Sequence, residues 1–228
     1  VSKLTDLWVD IGSGSATEVG ERGLRVGDAG VIDSRMVRLG EKLIASRSVD
    51  NRIGAYVVLE ALRILANDRT GLSAEVAAIA TAQEEITFAG ARTSAHRFEP
   101  HVAIVVDVTF ATDAPGIEKK QTGEHKLGSG PVLTRGSACH PIVFDLLVEA
   151  AEGASIGYTI QASPRHTSTD ADAIHLSRSG VATGVVSVPN RYMHSPNEIV
   201  SLEDLDSVAR LLAEFIRRLT AETELIPR

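Results

Sequence analysis

The sequence has one cysteine, one tryptophan and two methionines in 228 residues, and aromatic side chains make up only 4%. A single cysteine, Cys139, excludes an internal disulfide and suits a reducing compartment, so a cytoplasmic location is expected. Cys139 is followed directly by His140, a spacing that rarely gives a thiolate–imidazole pair its geometry, and burial is the expected fate of the thiol. No apolar run approaches the roughly 20 residues needed to span a bilayer. No Lys/Arg run stands out and the formal net charge is −7, which argues against a nucleic-acid footprint and against a basic membrane-binding face. Several catalytic templates are missing as well: there is no G-x-S-x-G, no H-E-x-x-H and no P-loop. GSG at 12–14 and 128–130 never extends to G-x-G-x-x-G, so both read as turns.

What is present is an ordinary globular balance, 43% hydrophobic and 23% charged. The apolar share is mostly Ala, Val, Leu and Ile. Through residue 46, DLWVDIG, LRVGDAGVI and MVRLGEKLIA predict short strands divided by turns such as Gly27-Asp28. From Asp50 the period changes: apolar residues at 53, 57, 58, 61, 62 and 65 mark one face of a helix. A strand over Ala74 to Ala82, a short helix GARTSAHRF and a strand VAIVVDV follow. PIVFDLLVEAAEG predicts a helix begun by Pro141, IGYTIQA a strand, and TDADAIHLSRSG a helix ending at Gly180. VATGVVSV predicts a further strand, and Ser201 to Asp204 resembles a capping box opening a long amphipathic helix. Strands alternating with helices of this length predict an α/β fold, a sheet with helices on both faces.

In such a sheet, ligands bind beyond the carboxyl ends of the strands. Glu84 and Glu85 follow the strand at 74–82, Asp107 ends VAIVVD, His194 follows VATGVVSV, and Asp50 precedes a long helix. Each has a plain reading: a helix cap for Asp50, turn formers for Asp107 and the Glu pair, a loop imidazole for His194. Their convergence on one rim favours chemistry. Carboxylates with an imidazole suit zinc, cobalt or manganese, and two such ions would share a carboxylate and hold a water between them. Such a site also needs a base that is not a ligand. His166, His175, Asp170 and Asp172 form a second polar cluster, for which helix capping and surface exposure are expected.

The stretches SVDNRIGAYVVLEAL, QEEITFAGA, VVDVTFATDAPG, LGSGPVLTRG, TSTDADAIHLSRSGVATGVVSVP and RYMHSPNE occur in the order seen in the M42 metallo-aminopeptidases, which the chain resembles from about Asp6 onward. The resemblance implies a zinc-peptidase-like α/β domain over 47–228, with a mixed sheet. Residues 1–46 would be the C-terminal part of an inserted, β-rich dimerisation domain that begins before Val1. It implies two divalent metal ions per subunit, zinc or cobalt, with Asp50 bridging both, Glu85 and His194 completing one site and Asp107 belonging to the other. Glu84 would be the general base. Peptides would lose single residues from their free N-termini, and the enzyme would be a homo-oligomer of dimers, up to a dodecamer.

Two departures stand out. The family often reads Asp-Asp-Arg where this chain has Asp50-Asn51-Arg52, and no H-x-D, the source of one family metal ligand, occurs in these residues. Poor loading of the second ion is therefore expected. A glycoside hydrolase, as an older endoglucanase label for the family has it, is the alternative enzyme reading; it needs two carboxyl groups flanking the bond. An inactive fragment is the non-enzymatic one.

Overall fold

The computed structural model describes residues 3–226. The chain divides into two compact units, Val1–Asp33 and Ser34–Arg228.

In the first unit a 3-10 turn at Leu4–Asp6 is followed by helix α1, Ala16–Glu21. Ser15 caps α1 by accepting from Glu18 N at 3.2 Å, and Glu18 Oε2 in turn accepts from Gly14 N at 2.7 Å. The strands expected at DLWVDIG and LRVGDAGVI do not form: among the described residues this unit has no strand. Alternation alone cannot make a ladder without a partner, and Leu7, Trp8, Val9 and Val26 stay exposed.

The second unit opens with β1 (Val37–Leu39) and β2 (Leu43–Ser46), an antiparallel pair formed by the MVRLGEKLIA stretch that was expected to be extended. Then come α2 (Val49–Asn67), a single turn α3 (Glu84–Thr87), α4 (Ala89–Phe98), β3 (Val102–Phe110) and α5 (Lys119–Thr122). They are followed by β4 (Val132–Gly136), α6 (Pro141–Gly153), β5 (Thr159–Ser163), α7 (Ala171–Ile174), β6 (Ala182–Asn190), β7 (Glu198–Ser201) and α8 (Leu202–Arg218). No helix among the described residues is long and apolar enough to cross a membrane.

The main sheet runs β3-β6-β4-β5 and is mixed: β3 pairs β6 in parallel, β4 pairs β6 antiparallel and β5 in parallel. A smaller antiparallel sheet runs β1-β2-β7. Strand alternation gives the main sheet its two faces. Val106, Val108, Val186 and Val188 pack with α2, α6 and α8, whereas Val105 and Val185 pack with Cys139 and Ala171 of α7. Cys139 is buried as expected, and burial pushes its thiol up to about 11.

Three expected elements change. Residues 74–82 form no strand. Their burial still alternates in twos over 72–79, yet they line a cavity of about 1020 Å³ that also runs along β3, the edge of the sheet, and no strand pairs with them. The helix expected to reach Gly180 shrinks to the four residues of α7: beyond it the chain runs in short turns, Ser177 N donating to Ile174 O and Gly180 N to Ser177 O, with Arg178 in left-handed backbone. The capping box at Ser201 is not made. Ser201 pairs with Leu43 in the small sheet, its side chain caps nothing, and Asp204 instead accepts from Gly128 N and Gly130 N, both at 2.8 Å.

Candidate metal centre

Asp50 does not cap its helix. Ser48 stands at the N-cap of α2, and Asp50 and Asn51 depart from helical backbone just inside it. The departure is fixed by Asn51, whose Nδ2 donates to Val106 O of β3 at 2.8 Å while its Oδ1 accepts from Gly54 N at 2.9 Å. Residue 54 has to be glycine for this: a Cβ there would run into the Asn51 side chain and sit 2.8 Å from Val106 O.

Glu84 and Glu85 sit on α3, a single turn between Gln83 and Phe88, both in left-handed backbone. Gln83 O collects N–H groups from Thr87 and Phe88, each at 3.0 Å. Gly90 N donates to Ala82 O at 2.9 Å, and a Cβ on Gly90 would collide with the Ala82 backbone. The α4 start thus clamps the end of the extended run and presents the two acids.

These segments bring Asp50, Glu85 and His194 together, with one ligand atom from each lying within 4.8 Å of the other two. His194 Nε2 is 3.1 Å from Asp50 Oδ2 and 3.6 Å from Glu85 Oε2. Glu84 lies within the electrostatic reach of Glu85, Asp170 and Asp50; burial first, then these like charges, raises its carboxyl to about 7. Burial followed by Glu85 and Glu198 raises Asp50 to about 6. Asp107 lies within β3 rather than at its end, 7% exposed, with Val108 N donating to its Oδ1 at 2.8 Å. Burial drives Asp107 up to about 8. It lines the same cavity but is not one of the three grouped ligands.

Two residues escape a reading of the sequence. Asp170, expected to be an exposed cap, is 7% exposed and lines the cavity beside Glu84 and Asp107. Its Oδ2 accepts from the Thr81 hydroxyl, its Oδ1 has no partner, and burial holds its carboxyl above the usual range. Glu198, 1% exposed, accepts four N–H groups beneath Asp50 and His194. Both positions fall in stretches that carry the family resemblance, Asp170 in TSTDADAIHLSRSG and Glu198 at the end of RYMHSPNE, but the residues alone give neither a role. Of the remaining polar cluster, His166 is exposed, and His175 Nδ1 bonds Ala171 O.

The donor set suits a cation. Two carboxylates and an imidazole converge, further acids stand around them, and a buried carboxylate oxygen lacks a partner. Like charges crowded in this way are stabilised by a divalent ion.

Comparison with known proteins gives the chain a family. Residues 1–211 match the family described as M42 glutamyl aminopeptidase. A lysyl aminopeptidase of Pyrococcus furiosus is 36% identical over 211 residues, covering 92% of this chain and 59% of its own length. A TET aminopeptidase from the marine sediment archaeon Thaumarchaeota archaeon SCGC AB-539-E09 superposes with a TM-score of 0.90 at 33% identity, over 97% of this chain and 62% of that one. The Pyrococcus horikoshii TET1 peptidase, which can assemble into a tetrahedron or a large octahedral shell, matches with a TM-score of 0.76 at 28% identity, over 92% and 60%. The chain therefore spans 59 to 62% of the length of these relatives. With the match extending over 1–211, the chain belongs to the M42 glutamyl aminopeptidase family.

Proposed function

We propose that this chain carries the site of a metal-dependent aminopeptidase, in which Asp50, Glu85 and His194 hold a divalent cation and Glu84 moves the proton. The observation that carries this reading is the convergence of those three ligand atoms within 4.8 Å, with a carboxyl poised at about 7 beside them. Zinc or cobalt suits two oxygens and one imidazole nitrogen. A second ion would draw on Asp107 together with Asp50. Bound there, a divalent ion supplies Lewis-acid polarisation of the scissile carbonyl. Glu84, near neutrality, takes a proton from water and returns it to the leaving amine. Asp50 and His194 keep their reach toward the site through the backbone that carries them.

Peptides with a free N-terminus are the substrates that the relatives' names support. A homo-oligomer is supported by the assemblies named for the P. horikoshii enzyme, and a reducing cytoplasm by the single cysteine. We assign residues 1–46 to an inserted dimerisation domain. Support comes from the apolar side chains exposed within it, among them Trp8, Val9, Val31 and Met36, which an assembly would cover.

The test compares a free-amine aminoacyl nitroanilide with its N-acetylated form, before and after chelation and zinc or cobalt return. Release from the free amine alone, lost on chelation and restored by the ion, is the expected result. Chelator-insensitive cleavage of a β-glucan would instead establish the glycosidase alternative.

A further inference from the structure

Asp50 and His194 both sit on irregular backbone. Asp50 lies in the non-helical start of α2, and His194 lies between β6 and β7 in left-handed backbone at φ 62°. Between them lies one carboxylate. Glu198 is the first residue of β7, opposite Ser46 of β2, and is 1% exposed. Its Oε2 accepts from Val49 N at 2.7 Å and from Asp50 N at 3.2 Å. Its Oε1 accepts from His194 N and from Asn190 Nδ2, both at 3.2 Å. One oxygen therefore holds the segment that presents Asp50, and the other holds the segment that presents His194.

Four donors on two oxygens match the acceptor capacity of an ionised carboxylate. Hydrogen bonds to a charged acceptor are about twice as strong as neutral ones. No ion pair to Glu198 is formed among the described residues, so N–H dipoles alone compensate its charge. Its negative charge also works against Asp50, which an uncharged spacer would not do. A purely packing role would be filled better by an apolar side chain, since buried charges are costly to hold. What an apolar residue cannot do is fix two irregular backbone segments at one separation.

We propose that Glu198 is the positioning residue of the metal centre, setting the distance between Asp50 and His194 so that both meet one cation. The proposal rests on the metal reading above. Outer partners that orient ligands typically contribute about ten- to a hundredfold in metal affinity, and that is the size expected here.

The experiment measures zinc and cobalt affinity by chelator competition for the unsubstituted chain, Glu198→Gln, Glu198→Asp and Asp204→Asn. Gln keeps the shape but turns an NH₂ group toward one pair of donors; Asp keeps the charge but is too short to reach both segments. Asp204 is the control, a 1% exposed carboxylate on the first turn of α8 that also accepts two backbone N–H groups, from Gly128 and Gly130, and none from a ligand-bearing segment. Both Glu198 variants are expected to bind zinc about ten- to a hundredfold more weakly, with a changed visible spectrum of bound cobalt. Asp204→Asn is expected to melt earlier yet bind as the unsubstituted chain does. A folded Glu198 variant that binds within about twofold of the unsubstituted chain overturns the proposal. If Gln at 198 does not fold, the Asp variant decides. An unsubstituted chain that takes up neither ion overturns the metal reading, and this proposal with it.

Discussion

Asp50 and His194 reach the centre from backbone pinned by Glu198 and Asn51, whereas Glu84, Glu85, Asp107 and Asp170 reach it from the margin of a cavity of about 1020 Å³. On the first side the irregular backbone is held by side-chain hydrogen bonds from Asn51 and to Glu198, although Asn190 Oδ1 has no partner. On the second side the extended run 74–82 has no paired strand, Asp170 Oδ1 has no partner, and acids face one another across the opening. The pinned side supplies geometry, and the open side supplies charge and the proton carrier. A site of this kind separates what must not move from what must change protonation.

The comparison is broken most severely at Glu84. Glu84→Gln is expected to lower aminoacyl nitroanilide turnover by about 10²- to 10⁴-fold, the usual contribution of a positioned general base. Zinc uptake should be nearly unchanged; a parallel loss of zinc would make Glu84 a ligand instead.

His194→Ala removes the one imidazole of the grouped set. Zinc affinity should fall at least about tenfold, the scale expected for losing a mere outer partner, as read by chelator competition. An unaffected affinity would move the ion to the open side.

The pH dependence of the metal-free chain probes the acids together. Asp50, Glu84 and Asp107 sit at about 6, 7 and 8, all above their ordinary values. Between the ordinary carboxylate range and those values, the folded chain holds more protons than the unfolded one. Stability should therefore fall as pH rises from about 4 to about 8. Thermal melts across that range check the sign, and saturating zinc should flatten the fall because it favours the ionised carboxylates.

The smallest effect is expected at Asp170. Asp170→Asn removes one like charge and turns an amide toward the neighbouring acids, so urea unfolding of the metal-free chain should show a gain of about 1 kcal/mol at neutral pH. A loss would place Asp170 among the pinned groups.

Much of the second unit was legible because burial there follows a period. The apolar face at 53, 57, 61 and 65 became the buried face of α2, and the apolar runs at 102–108 and 181–188 became β3 and β6. The rim that gathers Asp50, Glu85 and His194 followed from the ends of those elements. Glu198 was illegible because, although His194 and Asn190 are 4 and 8 positions away, its other partners Val49 and Asp50 lie 149 and 148 positions away, and only the fold brings the two pairs onto one carboxylate. Asp170 was misread because TDADAIHLSRSG has helical spacing, whereas beyond Ile174 the chain goes into short turns with Arg178 in left-handed backbone. In 3–33 and 74–82 alternation was present, but a strand needs a neighbour, which alternation does not name.

Asn51, the residue at which this chain departs from the family's Asp-Asp-Arg, also bears on how much negative charge the fold tolerates. It must give one hydrogen bond, to Val106 O, and take one, from Gly54 N. An amide does both at every pH, while a carboxylate does both only when protonated. An aspartate here would therefore either tie the entry of α2 to a proton or, once ionised, lose the bond to Val106 O and add a further anion behind Asp50. With asparagine, the anchor of the first ligand is indifferent to acidity, and the shape of the centre stays separate from its charge.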